Sequence, residues 1–162
     1  MASSSKSVPS PVEILLVEDN PDDATFVSEA IVDIKYPIRL NIAEDGARAL
    51  DYLFQKDSFS NSLRPDLILM DLRPPLKSGL EVLKEIREDS SLSEIPVIVL
   101  TGSSEDMDRL AAYEFQANFF MVKPKGMEHW GALAKYLEDF WIKSISHHKN
   151  SPHSRKGSKT AK

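Results

Sequence analysis

The chain has 162 residues, 41% of them hydrophobic, a net charge of −5 and no cysteine. That length supports one domain with a sizeable core, and the lack of cysteine excludes disulfides and thiolate metal sites, as suits a reducing compartment. Residues 7–142 carry 13 basic and 25 acidic side chains, a net of −12, while six Lys/Arg and no acid follow from Lys143 onward; an acidic body argues against nucleic acid as its partner.

In chain order, residues 1–10 are Ser-rich, without the apolar segment of a secretory signal, and read as a disordered N-terminus. The first strand spans about 12–17, where Ile14-Leu15-Leu16-Val17 leads into Glu18 and Asp19. Asn20-Pro21-Asp22-Asp23 then offers a cap, a proline at the first helical position and two acids on the positive end of the dipole. Strands follow at about 38–43, 66–70, 96–100 and 118–122, and helices at about 21–35, 46–56, 79–89, 104–116 and 127–146. Ser78-Gly79-Leu80-Glu81 reads as a capping box, with Ser103 and Asp106 as a weaker one. Residues 56–65 form a long loop before the third strand, and no apolar run approaches the ~20 residues of a membrane span.

Strands apolar on both faces belong inside a parallel sheet covered by helices. Five strands alternating with five helices imply an α/β doubly wound sheet of flavodoxin-like type, in the order 2-1-3-4-5. The domain spans 11–146, and the basic segment 147–162, with His147, His148 and His153, reads as a solvated, disordered tail. Ligands in such sheets bind at the carboxyl ends of the strands. There the chain delivers Glu18 and Asp19, then Asp71 after Leu67-Ile68-Leu69-Met70, Thr101 after Val97-Ile98-Val99-Leu100, and Lys123 after Phe119-Phe120-Met121-Val122.

Three acids at one edge repel each other and call for a hard divalent cation. Mg²⁺ suits Glu18, Asp19 and Asp71, since it prefers one or two carboxylates with waters and phosphate oxygens. A carboxylate beside such a cation can attack a phosphoryl donor and become an aspartyl phosphate, whose oxygens Lys123 and the Thr101 hydroxyl would hold. Asp22 and Asp23 lie nearby but read more simply as helix-dipole residues.

These residues make the chain resemble the receiver domains of two-component response regulators. The resemblance covers roughly residues 12–142 and rests on Leu16-Val17-Glu18-Asp19-Asn20, Asp71 with Pro75 and Gly79, Thr101-Gly102 and Lys123-Pro124; the spacings of 30 and 22 residues between Asp71, Thr101 and Lys123 also fit. It implies that a sensor histidine kinase phosphorylates Asp71. It further implies that Glu18, Asp19, Asp71 and the backbone carbonyl of Arg73 hold Mg²⁺, that Thr101 and Lys123 bind the phosphoryl group, and that the Lys123–Pro124 peptide is cis. The long loop before strand 3 and Glu138-Asp139-Phe140-Trp141 most resemble the stand-alone regulators of phytochrome-type kinases. Receivers usually carry a small polar or amide residue at the position of Arg73. A guanidinium there borders the path of the hydrolytic water and is expected to alter the lifetime of the acyl phosphate and the metal affinity.

Two other readings fit less well. An interaction module without phosphotransfer would keep the fold, yet every site residue is retained. A phosphohydrolase with an aspartyl nucleophile wants a second acid two residues on, where this chain has Arg73. The expected protein is therefore a cytoplasmic phosphoacceptor, catalysing only its own phosphorylation and dephosphorylation. With no second domain after residue 146, its output is expected to be a surface change read by a phosphotransfer protein or another target.

In receivers, phosphorylation draws the Thr101 hydroxyl inward and Phe120 rotates, changing the face made by the helix at 104–116, strand 5 and the helix at 127–146. Tyr113, Phe115, Phe119, Phe120, Trp130, Tyr136, Phe140 and Trp141 cluster there. Trp130, Leu133, Leu137, Phe140 and Trp141 follow a helical apolar stripe, wider than one packing face needs. Phe119, Phe140 and Trp141 are therefore the expected interface of a homodimer.

Overall fold

The computed structural model describes residues 9–56, 59–71, 79–101, 119–124 and 127–151. Five strands, β1 (Val12–Val17), β2 (Ile38–Ala43), β3 (Leu67–Asp71), β4 (Val97–Thr101) and β5 (Phe119–Val122), form one parallel sheet in the order β2-β1-β3-β4-β5. This is the expected doubly wound order. Helices α1 (Pro21–Ile31), α2 (Gly46–Leu53), α3 (Gly79–Glu88) and α4 (Met127–Leu137) alternate with the strands. The chain then continues through a π-helical turn (Glu138–Ile142) into α5 (Lys143–Asn150). The helix expected over 104–116, both caps at Ser78 and Ser103, and Arg73 lie outside the described residues.

The strands sort their side chains with period two. Leu15, Val17, Ile68, Met70, Val97 and Val99 pack with Leu53, Leu83 and Ile86 of α2 and α3 on one face. Ile14, Leu16, Leu67, Leu69, Ile98 and Leu100 pack with Val27, Trp130, Leu133 and Leu137 of α1 and α4 on the other. Every residue of β1 and of β3 is buried, the condition that makes these strands continuous apolar runs. Glu13 in β1 is the exception in kind. It is only 4% exposed and is held 2.8 Å from the Arg39 guanidinium of the neighbouring strand, its register partner.

Local chemistry sets the helix ends. The Asn20 side chain accepts from the Asp22 and Asp23 amides, and Pro21 starts α1. Asp45 caps α2 through the Arg48 amide. Two helices stop earlier than their periodicity predicts. α1 ends at Ile31 because the chain must turn before Pro37, whose carbonyl accepts from Val12 at the start of β1. α2 ends at Leu53 because Gln55 takes a left-handed φ of 58°. That lets Lys56 N–H reach the Asp51 carbonyl at 2.8 Å and Gln55 N–H the Tyr52 carbonyl at 3.1 Å, the paired closure of a Schellman motif.

The expected boundary at 146 is corrected by α5, which runs to Asn150 and is fastened to the start of the domain. The tail expected from 147 is thus ordered as far as Asn150, while residues 152–162, with His153, lie outside the described residues. Lys149 Nζ donates to Asp66 Oδ2 and to the Pro11 carbonyl, each at 2.8 Å. Asp66 Oδ2 also accepts from the Glu13 amide at 2.8 Å. Asn150 Oδ1 accepts from the Ser10 amide at 2.8 Å, so the expected disorder of 1–10 does not extend to Ser10. A polar, basic segment looks unstructured locally because its partners, Ser10, Pro11 and Asp66, lie far away in the sequence. Ile142 and Ser146, both buried, seat the helix from the inside. No helix among the described residues is long and apolar enough to cross a membrane.

Replacing Lys149 with Met should strand the Asp66 carboxylate and the Pro11 carbonyl. Both Lys149 and Asp66 side chains are about a quarter exposed, so a loss of about 1–3 kcal/mol is expected. Equilibrium denaturation of Lys149→Met against the unaltered chain measures it, and equal midpoints would remove the clasp from the fold's stability.

Candidate functional site

Parallel strands place all their carboxyl ends on one edge, and β1, β3, β4 and β5 bring polar residues there together. Asp71 is the last residue of β3 and Thr101 the last of β4, one step beyond the Asp71–Leu100 pair and in register with Val122, which precedes Lys123. Glu18 follows β1 directly, its amide donating to the Ala43 carbonyl of β2 at 2.9 Å. Glu18 and Asp71 are 2% and 4% exposed, whereas Asp19 faces solvent. One oxygen from each of Glu18, Asp19 and Asp71 lies within 4.8 Å of the others.

The Lys123 ammonium sits among these acids, with its side chain 12% exposed. Nζ is 2.7 Å from Asp71 Oδ2, 2.8 Å from Asp23 Oδ2 and 3.1 Å from Glu18. Burial penalises the Lys123 charge, but hydrogen bonds with Asp23 and Asp71 and the charges of Asp71 and Glu18 outweigh it, holding the ammonium above the usual lysine range. Burial also raises Glu18, and its hydrogen bond and repulsion with Asp71 raise it further, to about 8, against the opposing pull of Lys123. Desolvation and the neighbouring Asp71 charge both disfavour the ionised form of Glu18, as expected for like charges in a low-dielectric site. Three carboxylates whose oxygens converge within 4.8 Å offer a cation negative charge at one point. Its donors are hard oxygens, and the residues present fit a divalent metal of the Mg²⁺ type. An open cleft of about 510 Å³ borders Glu18 and Asp19, with Glu44 and Thr25 on its far walls.

Four of the expected residues, Glu18, Asp19, Asp71 and Lys123, therefore come together. Thr101 and Phe120 take their expected places in β4 and β5. Asp23, expected to serve only the helix dipole, is in fact one of the ammonium's three partners. The signal available was its position one turn into a helix that begins at the same sheet edge. The expected cis Lys123–Pro124 bond is corrected: no peptide bond among the described residues is cis, and trans is the lower-energy form of an X–Pro bond by about 0.5–1 kcal/mol.

Farther along β5, Phe119 is 40% and Phe140 65% exposed. Tyr136 joins them, its ring centroid 5.5 Å from Phe119 and 4.6 Å from Phe140. Trp141 behaves differently from the expected interface residue. It packs against the core that contains Trp130 and Ile142, because the π-helical turn directs neighbouring side chains to different sides.

The response regulator receiver domain family model matches residues 14–135. The chain is 38% identical over 136 residues to response regulator Rcp1 of Synechocystis, across 84% of this chain and 92% of that protein. It is 36% identical over 132 residues to the probable methanogenesis regulatory protein FilR2 of Methanothrix harundinacea, across 82% and 84%. Among solved structures, the phosphorylated cyanobacterial phytochrome response regulator RcpA superposes with a TM-score of 0.77 at 36% identity, covering 83% of this chain and 96% of that one. The Mn²⁺-bound form of Rcp1 gives 0.75 at 38% identity, with the same coverage. With its sheet order, its acidic strand ends and this match over most of its length, the chain belongs to the response regulator receiver domain family.

Proposed function

We propose that the protein is a phosphoacceptor switch in which Asp71 takes a phosphoryl group from a sensor histidine kinase. The observation that carries this reading is the Lys123 ammonium 2.7 Å from Asp71 Oδ2, at the centre of the acid cluster. An Asp71 carboxylate oxygen attacks phosphorus, a P–O bond forms as the P–N bond to the kinase imidazole breaks, and the leaving nitrogen keeps the electron pair and takes a proton. Lys123 and the Thr101 hydroxyl then hold phosphoryl oxygens. Glu18, Asp19, Asp71 and the Arg73 carbonyl would hold Mg²⁺, which neutralises the charge that develops on those oxygens. Hydrolysis of the same acyl phosphate resets the switch, so the protein acts as a catalyst only on itself, in the cytoplasm. The likeness to RcpA, a phytochrome response regulator, favours a phytochrome-type kinase.

Output is a change in the outer face at β5, with Thr101 and Phe120 as its levers. A phosphotransfer protein or a downstream protein reads it. Exposed Phe119 and Phe140, joined through half-buried Tyr136, form an aromatic strip that suits a second copy of the chain, since an isologous contact repeats the strip across a twofold axis.

With Mg²⁺ and a small phosphodonor, the unaltered protein should acquire one acid-labile phosphoryl group and Asp71→Asn none. Label that persists in a folded Asp71→Asn protein would move the acceptor elsewhere.

Cation binding should depend on pH through Glu18. Its proton must leave before the carboxylate can ligate, so affinity falls as pH drops below about 8, by at most about tenfold per pH unit for one displaced proton. The raised value also means that proton uptake at Glu18 stabilises the metal-free fold. That contribution is complete below the ordinary value of 4.5 and is lost as pH rises through about 8. Calorimetric Mg²⁺ titrations between pH 6 and 9 test this, and Glu18→Gln should flatten the profile.

Phe119→Ala/Phe140→Ala should sediment as a monomer where the unaltered protein, phosphorylated or not, associates at tens of micromolar. A monomeric unaltered protein would leave the strip to another partner.

A further inference from the structure

Among the described residues the Lys123 ammonium has three carboxylate partners, and two of them have another claim upon them. Glu18 and Asp71 belong with Asp19 to the set whose oxygens converge within 4.8 Å. Asp23 stands outside that set. It reaches Lys123 from the first turn of α1, with Oδ2 at 2.8 Å from Nζ and its side chain 21% exposed. A divalent cation and the ammonium cannot both take the same oxygens of Glu18 and Asp71 at full strength, because two positive groups would then sit within a few ångströms at low dielectric. One of them must give way, and Lys123 has a flexible four-carbon stem.

From this arrangement we infer that Asp23 is a positioning residue, the carboxylate to which the Lys123 ammonium moves when a cation occupies Glu18, Asp19 and Asp71. The inference rests on the metal reading of the acid cluster given above and adds a role for a residue outside it. Asp23 does two things in this scheme. It lowers the cost of cation binding by giving the displaced ammonium a partner already in contact with it. It also keeps Nζ beside Asp71, where an incoming phosphoryl oxygen needs a donor, instead of releasing it to solvent. The position on α1 suits this. The Asn20 cap fixes the helix start through the Asp22 and Asp23 amides, so the Asp23 carboxylate is held while the lysine moves.

Mg²⁺ affinity measured by calorimetry on the full chain separates this from other roles of Asp23, through a double-mutant cycle with Lys123. Asp23→Asn should weaken Mg²⁺ about three- to tenfold, a range ordinary for coupled neighbours. Lys123→Met should tighten it by removing the competitor. In the Lys123→Met background the Asp23→Asn effect should shrink to that of a distant charge, and Asp23→Glu alone should restore much of the affinity lost in Asp23→Asn. Equal weakening in both backgrounds would make Asp23 a field charge only, and greater weakening without Lys123 would make it a direct ligand; either result overturns the inference. Unchanged affinity in a folded Asp23→Asn protein overturns it as well. An unaltered protein that binds no divalent cation would overturn the metal reading itself, which the same titration reveals before any variant is compared.

Discussion

One half-buried ammonium among carboxylates sets the terms for the rest of this molecule. Glu18 and Asp71 are almost fully removed from water, and a carboxylate so placed is tolerable only with a proton, a metal or a cationic side chain beside it. Lys123, directly after β5, supplies that charge, while burial and Asp71 hold the Glu18 carboxyl above its ordinary range. The Lys123 ammonium thus holds Glu18 and Asp71, whose carboxylates also converge with Asp19 in a set that suits a divalent cation.

The scaffold holds these carboxylates in place. β1 and β3 are buried on both faces, and the two cores divide the sheet residue by residue. The carboxyl ends of β1 and β3 are thereby fixed to the precision of core packing. At the opposite edge, Asp66 ties Glu13 and Lys149 together, so the N-terminal end of β1 and the C-terminal helix close the sheet as one unit. β5, which precedes Lys123, lies at the edge of the same sheet.

β5 also borders an aromatic patch on the outer surface. Its Phe119 stacks on Tyr136, which meets Phe140. The π-helical turn at Glu138–Ile142 adds a residue to the helical repeat. Phe140 turns outward while Trp141 and Ile142 turn in, without a break in the backbone. A regular α-helix would carry one apolar stripe; the π-turn divides the stripe between the core and the surface.

Much of this was legible in the sequence. Apolar runs ending in Glu18, Asp71, Thr101 and Lys123 identify the strands and their carboxyl ends, because burial on both faces leaves a period-free apolar signature. Asn20-Pro21 marks the start of α1, because capping depends on groups two or three residues away. Local chemistry is what a sequence records well. The Lys123–Asp23 contact joins residues 100 apart and the Lys149–Asp66 contact residues 83 apart, and only the packing of helices onto the sheet decides which distant charges meet. Glu13 with Arg39 follows the same logic, since a charged residue inside an apolar strand has meaning only when β1 and β2 pair in that register. The chain by itself determined the strands, the edge to which they point and the acids they deliver; tertiary structure decided which acid the lysine holds, where the last helix docks and which aromatics face water, because those depend on distances that no local pattern encodes.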